Sequence, residues 1–165
     1  MKAHLFAVLC CFASIGHAAP KAVTLDPMQH HSAEILVVNP DGNAVTYTPA
    51  ELETFPNYRL STTTPWRDET AQFDGVLLRD VLEANGLADA TAILVTAEND
   101  FSATIPREVW ETHDVLVATR VDDKPHSRRA RGPIQIVIDM AAYEASEVAR
   151  EEHLVWMAAR IEAVK

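Results

Sequence analysis

The chain has 165 residues, of which 48% are hydrophobic and 23% are charged. This length allows one domain with a hydrophobic core, and the composition, with Gly 5 and Pro 9, excludes collagen-like and disordered chains. Acidic residues outnumber basic ones by 24 to 14, which gives a formal net charge of -10. Because such a charge repels polyphosphates, the composition argues against nucleic acid as a partner.

The first residues of the chain have the pattern of a cleavable signal peptide. A short basic start precedes the apolar segment Leu5–Ile15, and Gly16-His17-Ala18 provides small residues at the positions that signal peptidase reads. This apolar segment of about 11 residues is too short to cross a bilayer of about 30 Å, which disfavours the alternative of a membrane anchor. We therefore predict a signal peptide over residues 1–18, an exported mature protein and no direct membrane insertion.

Cleavage at that point removes both cysteines, Cys10 and Cys11. The expected mature chain therefore has no disulfide, thiolate metal site or cysteine nucleophile. His30 and His31, near Met28, offer only a weak alternative as ligands of a soft metal. The sequence contains no nucleophile elbow and no glycine-rich phosphate loop. These observations favour a binding domain over an enzyme.

The remaining sequence predicts a lead-in over residues 19–33 and one α+β domain over residues 34–165. The lead-in has no hydrophobic periodicity, so we expect it to be flexible. Thr48-Pro49-Ala50-Glu51 is a capping box that begins a short helix, and Gly86 ends a second helix that begins at residue 76. Apolar and β-branched runs predict strands over residues 34–39, 44–47, 58–64, 92–97, 102–105, 115–121, 133–139 and 155–164, and a helical turn over 106–110.

A basic segment, Lys124–Pro133, interrupts the otherwise acidic chain. It contains three arginines, Arg128, Arg129 and Arg131, beside Ser127 and a Gly-Pro boundary. Arginine forks suit a phosphate, a carboxylate or the carbonyl edge of a heterocycle. The segment is therefore a candidate ligand loop, and the alternative is a solvated loop that pairs with nearby acids.

Two further residues have the chemistry of ligand contacts. Trp66 follows Pro65 at the end of a predicted strand, where an indole can stack on a flat ring. The alternative for Trp66 is a place at the edge of the core. Asp100 lies in a polar turn between two predicted strands, where a carboxylate can pair with two N–H donors of a guanidine-like heterocycle. Its alternative is a simple role in forming the turn.

Six stretches of the sequence occur in an order that resembles a known family. They are residues 61–66, 73–82, 98–101, 114–120, 127–133 and 155–162. Together they resemble the oxidoreductase molybdopterin-binding domain of the sulfite oxidase fold, over residues 33 to 164. The resemblance implies a mixed β-sheet core with short helices.

The sequence departs from that family at one chemically important position. The resemblance implies a cysteine ligand to molybdenum four residues before a tryptophan, and here that position, counted back from Trp66, is Thr62. A threonine hydroxyl is a poor ligand beside a dithiolene, and the mature chain has no cysteine to replace it. We therefore expect no metal in this protein.

In this respect the chain resembles the small standalone periplasmic members of the family, including the PruR-type pterin-binding proteins. That resemblance implies a periplasmic location and a pterin ligand, either a reduced pterin such as a tetrahydropterin or molybdopterin. It also implies residue roles. Trp66 would stack on the bicyclic ring and Asp100 would pair with the amino-pyrimidine edge. The carbonyl edge or the tail would be reached by Ser127, Arg129 and Arg131, and Thr62 would line the place of the metal.

The resemblance leads to one main functional hypothesis and two alternatives. The main hypothesis is a non-catalytic pterin-binding protein that signals its ligand state to the periplasmic domain of an inner-membrane enzyme controlling cyclic di-GMP. The first alternative is an oxidoreductase or its subunit that binds the molybdenum cofactor without the usual cysteine. The second is an interaction domain whose pocket has lost its ligands.

Overall fold

The computed structural model describes residues 18–164, which form two β-sheets and four short helices. The predicted signal peptide lies outside these residues except for Ala18. The strands are β1 Lys21–Val23, β2 Ile35–Val38, β3 Ala44–Tyr47, β4 Asn57–Thr64, β5 Arg67–Leu77, β6 Ala92–Ala97, β7 Ser102–Pro106, β8 Leu116–Val121, β9 Lys124–Pro125, β10 Gln135–Val137 and β11 Ala158–Ala163. The helices are α1 Pro49–Leu52, α2 Leu78–Ala84, α3 Arg107–Thr112 and α4 Met140–Glu144. Within residues 18–164, no helix has the length and apolar character needed to cross a membrane.

The first sheet has the strand order β1-β4-β5-β8-β10, with β9 paired to β8, and all its pairs are antiparallel. Its longest strand is β5, with 11 residues, which lies between β4 and β8. The sequence did not predict β5, because its first half is a polar run that is exposed in the structure. Strand β8 is buried along its whole length. The site described below lies at the end of this sheet where β4 turns into β5.

The second sheet has the order β3-β2-β11-β6-β7 and contains one parallel pair, β11 with β2. Its two hairpins, β2–β3 and β6–β7, are those that the turn chemistry predicted. The predicted capping box begins α1: the Thr48 N–H donates to Glu51 Oε2 at 2.7 Å, and the Glu51 N–H donates to Thr48 Oγ1 at 3.2 Å. The predicted α+β class is confirmed.

The main core joins apolar side chains of both sheets and of α2. It includes Ile35 and Ile93 from the second sheet, Val117 from the first, and Leu82 from α2, all fully buried. A smaller cluster around Leu60, Phe73 and Leu116 buries the opposite face of the first sheet. Because the first sheet is packed on both faces, it is a rigid support for the loops at its end.

The lead-in differs from the expectation of a flexible segment. It contains β1, which pairs antiparallel with β4. Beyond β1, the carbonyl oxygen of Asp26 accepts a hydrogen bond from Arg120 Nη2 at 2.8 Å, and His30 Nε2 lies 3.0 Å from Glu53 Oε1. These contacts are polar and reach the domain from outside its core. Hydrophobic periodicity, on which the expectation rested, does not report such contacts.

Candidate functional site

A cleft of about 600 Å³ opens beside the turn between β4 and β5. Trp66 enters it from that turn, and Trp156 enters it from the segment before β11. We call it the arginine cleft, because four of its lining residues are arginines. Apart from the two tryptophans, the residues that line it are Thr64, Arg67, Glu69, Phe73, Val121, His126, Arg128, Arg129, Ala130, Arg131 and Gln135.

The loop that carries three of these arginines has a fixed backbone. Ser127 Oγ accepts the N–H of Ala130 at 3.3 Å and thereby caps a 3-10 turn over Arg128–Ala130. Arg131 then adopts a left-handed conformation, with φ of 75°, and the Gly132 N–H donates to the Ser127 carbonyl at 2.8 Å. A side chain at Gly132 would collide with His126, since a Cβ there lies 2.6 Å from its Cγ. The loop is therefore folded back tightly enough to point Arg131 at the aromatic wall of the cleft.

Arg131 lies against both tryptophans of the cleft. Its guanidinium carbon is 4.6 Å from the ring centroid of Trp66 and 5.2 Å from that of Trp156. Both distances are within the range of cation–π attraction. The two indoles therefore both contact one planar, N–H-rich group. A flat heterocycle can stack on the same indole faces.

The arginines of the cleft differ in their partners. Arg67 pairs with Asp122 at 3.0 Å, and Arg128 pairs with Glu98 through two hydrogen bonds of 2.8 and 2.9 Å. Within residues 18–164, by contrast, Arg129 and Arg131 form no ion pair with a carboxylate. These two guanidinium groups are therefore the ones that can donate to an anion or a carbonyl oxygen.

His126 brings an unsatisfied acceptor to the cleft lining. Its side chain is 2% exposed, and its Nε2 lies 2.8 Å from Gln135 Oε1, but its Nδ1 has no partner among the described residues. Burial lowers the pKa of His126 more than the bond to Gln135 raises it, so the ring is neutral at pH 7. Because a carbonyl oxygen faces Nε2, we assign the proton to Nε2 and a free lone pair to Nδ1. A buried acceptor of this kind calls for a donor.

The lowered pKa of His126 predicts a pH-dependent stability. The unfolded chain binds a proton on this ring below about pH 6.5, whereas the folded chain does not, so the free energy of unfolding falls as the pH decreases. For one ring, the free energy of unfolding falls by at most about 1.4 kcal/mol per pH unit. We expect His126→Gln to reduce the difference between urea unfolding at pH 7.5 and at pH 5.5. The same substitution at the exposed His31 serves as the control and should leave the difference unchanged. An unchanged difference in His126→Gln would contradict the assignment.

A second, smaller groove of about 370 Å³ adjoins the arginine cleft, because Trp66 and Trp156 line both. Phe101, which is 45% exposed, and Leu154 complete its apolar walls. Three polar side chains, Asn99, Glu151 and Glu152, stand at its edge. We call it the aromatic groove.

Three of the six predicted ligand residues meet in the arginine cleft. Trp66, Arg129 and Arg131 all line it. Within the described part of the chain, its lining does not include Thr62 or Ser127. The hydroxyl of Thr62 is buried and accepts the N–H of Met140 at 2.8 Å, while that of Ser127 caps the arginine loop. Both hydroxyls thus have structural hydrogen bonds.

Asp100 has a backbone role in the structure. It adopts a left-handed conformation in the β6–β7 turn, with φ of 67°, and its N–H donates to the Ala97 carbonyl at 3.1 Å. Its neighbours Asn99 and Phe101 line the aromatic groove, whereas Asp100 is outside the described lining. The turn that the sequence analysis selected does lie at the site. Which of its side chains reaches the groove depends on the backbone angles of the turn.

Several residues at the site were not predicted from the sequence. Trp156 belongs to the closing stretch that carries the resemblance, and this was the available signal for it. His126 and Gln135 gave none, because a lone histidine and a glutamine within a strand have no characteristic spacing. The carboxylates Glu151 and Glu152 belong to an acidic surface run that resembles any solvated turn.

The sequence matches the family described as the oxidoreductase molybdopterin binding domain over residues 26–146. The chain belongs to this family. No curated protein matches the sequence. Among solved structures, the crystal structure of the sulfane dehydrogenase SoxCD from Paracoccus pantotrophus matches with a TM-score of 0.60 and 12% identity, over 92% of this chain and 44% of that chain. At this identity the likeness shows the fold, and this chain spans less than half of the SoxCD chain.

The family and the fold predicted from the sequence are thus confirmed, and a molybdopterin-binding domain is suited to a pterin-type cofactor. The residues of the arginine cleft fit the organic part of such a group, since two indoles can cover a ring and Arg129 and Arg131 can hold oxygen atoms. The metal-ligand position does not fit, because Thr62 offers a buried hydroxyl that is already hydrogen-bonded. Among residues 18–164, no group of three or more His, Cys, Asp or Glu side chains is placed to hold a metal ion. The expectation of a metal-free protein stays a prediction.

Proposed function

We propose that this molybdopterin-binding domain is a periplasmic, non-catalytic pterin-binding protein that signals its ligand state to an inner-membrane enzyme controlling cyclic di-GMP. The observation that carries the proposal is the arginine cleft, which is lined by two indoles and by two arginines that form no ion pair within residues 18–164. At the position where the family resemblance implies a cysteine ligand to the metal, this chain has Thr62. Aromatic walls with a few directed polar groups are the usual chemistry of a site for a flat cofactor.

Signalling requires that the partner distinguish the bound protein from the empty one. The structure offers a local basis for this in Arg131, whose guanidinium lies on both indoles. A flat ring that covers the same indoles has to displace this guanidinium. Arg131 belongs to the short capped loop that begins at Ser127 and includes the exposed Arg129, so ligand binding would change a surface that a partner can contact.

The test is to purify the mature protein from the periplasm of its own host. The released ligand is identified by fluorescence and mass spectrometry, and molybdenum is measured in the same sample. We expect a stoichiometric pterin without molybdenum. Molybdopterin together with molybdenum would instead support the oxidoreductase alternative, which the family match favours. A protein that contains neither would overturn the proposal and leave the interaction domain.

The same cleft predicts the effect of removing one indole. Trp66→Ala should weaken pterin binding by about 1–3 kcal/mol, by analogy with the stacking of bases on aromatic side chains. Isothermal titration with a purified pterin measures this loss, and Val45→Ala, an exposed residue on β3, is the control for a remote change. Unchanged affinity in Trp66→Ala would show that this indole does not stack on the ligand.

A further inference from the structure

The two hollows that meet at Trp66 and Trp156 carry opposite charge. The arginine cleft presents Arg129 and Arg131. The aromatic groove presents Glu151 and Glu152, both exposed. Within the described residues, neither carboxylate forms an ion pair or a side-chain hydrogen bond with the rest of the chain. A ligand that reached from one hollow into the other would therefore meet acceptors at one end and donors at the other.

A pterin has the matching polarity. Its 2-amino group and N3–H form an edge of N–H donors, whereas its carbonyl oxygen and an oxygen-bearing tail are acceptors. A carboxylate can accept two parallel N–H bonds from such an amidine-like edge, as it does from a guanidinium. An arginine can donate to the acceptors at the other side of the ring.

From this match we propose that Glu151 and Glu152 are specificity residues that receive the amino-pyrimidine edge of the ligand, while its tail points to Arg129 and Arg131. This inference rests on the proposed function and adds to it the orientation of the ligand and the group that selects it. The sequence suggested that Asp100 pairs with the amino-pyrimidine edge. The inference assigns this pairing to two carboxylates at the edge of the aromatic groove instead.

Two independent observations support a ligand in this place. Arg131 shows that the two indoles bind a planar N–H-rich group, at 4.6 and 5.2 Å from their ring centroids. His126 lines the arginine cleft with an almost fully buried Nδ1 that has no partner among the described residues. A reduced or hydroxylated pterin carries N–H or O–H donors on the side of its tail. Such a donor would reach this acceptor only if binding moved the arginine loop, in which Gly132 packs on His126.

The test compares two ligands that differ at one substituent. Pterin carries a 2-amino group, and lumazine carries an oxygen in its place, so a carboxylate that accepts from the amino group must discriminate between them. Binding of each is measured by quenching of tryptophan fluorescence and by calorimetry, with both compounds in oxidised and in tetrahydro form. The wild-type protein should bind pterin at least about tenfold more tightly than lumazine, given the strength of hydrogen bonds to charged groups.

The decisive variant is the isosteric double substitution Glu151→Gln/Glu152→Gln. It should reduce the preference for pterin over lumazine to less than about threefold, because each change removes an anionic acceptor. Glu147→Gln, at an exposed residue outside the groove, is the matched control and should keep the full preference. Asp100→Asn tests the rival assignment from the sequence, and we expect it to keep the preference as well. Circular dichroism verifies that each variant is folded.

The outcomes separate this inference from the proposed function. If pterin binds but the double variant keeps the wild-type preference, or if the wild type has none, the inference is overturned and the proposed function stands. If the preference is lost only in Asp100→Asn, the sequence-based assignment to Asp100 is restored and the inference is again overturned. If neither compound binds in either oxidation state, the proposed function fails as well.

Discussion

Replacing Gly75 with alanine is expected to lower the free energy of unfolding by more than about 3 kcal/mol, at or above the usual limit for overpacking a core. Gly75 lies in β5 opposite β8, at the point where the register between the two strands shifts. A Cβ at this position would fall on the carbonyl oxygen of Val117 and lie 2.8 Å from the Cα of Ala118. Because the obstacle is backbone of a fully buried strand, no side chain can move aside to relieve it.

Equilibrium unfolding in urea measures this loss. The control is Gly42→Ala in the β2–β3 turn, where no atom lies within 4 Å of the added Cβ but φ is +88°. That control should cost only about 1–2 kcal/mol, the cost of a left-handed conformation for a residue with a Cβ. Equal losses in the two variants would show that β5 and β8 can separate at Gly75 without breaking the sheet.

Removing one partner of the buried pair Glu53–Arg120 is expected to cost about 3–5 kcal/mol. The two side chains are only 8% and 5% exposed, and Arg120 donates to both carboxylate oxygens of Glu53, at 2.9 and 2.6 Å. Thr119 donates to the same carboxylate at 2.6 Å. Arg120 also donates to the carbonyl of Asp26, so the pair joins β8, the end of α1 and the lead-in.

A double-mutant cycle tests this cost. Glu53→Leu and Arg120→Met should each be strongly destabilising, because each removes the side chain that makes two hydrogen bonds to the other buried charge. The double variant should lose much less than the sum of the two, because apolar side chains can replace a buried ion pair at small cost. Additive losses measured by urea unfolding would show that the two side chains act independently.

The same network predicts that the free energy of unfolding decreases at acidic pH. Burial alone would raise the pKa of Glu53, but hydrogen bonds from Arg120, Thr119 and His30 outweigh it and hold the pKa below its ordinary value. The stability from this group is therefore present above the ordinary pKa of a glutamate and is lost as the pH falls through the lowered one. In Glu53→Leu this part of the acid sensitivity should disappear.

The predicted and observed elements agree best where local chemistry decides the conformation. The capping box at Thr48 begins α1, and the polar turns after β2 and β6 form hairpins with the predicted partners. At β5 the local pattern failed, since its first half is polar and exposed and is a strand only because β4 pairs with it. β4 and β5 form a hairpin joined by Pro65 and Trp66, and the exposed polar residues at its outer end lack the apolar alternation by which a strand is recognised.

The sequence by itself determined the family, the α+β class and the arginine loop with Trp66, since these depend on residue types in a fixed order. Only the tertiary structure decided which side chains share a cavity. It brought Trp156 and His126 to the arginine cleft and placed Glu151 and Glu152 beside the same indoles. It also gave Asp100 a left-handed backbone conformation in the turn. The physical reason is that the direction of a side chain follows from its backbone angles and from the packing of distant strands, neither of which can be read from the order of residues.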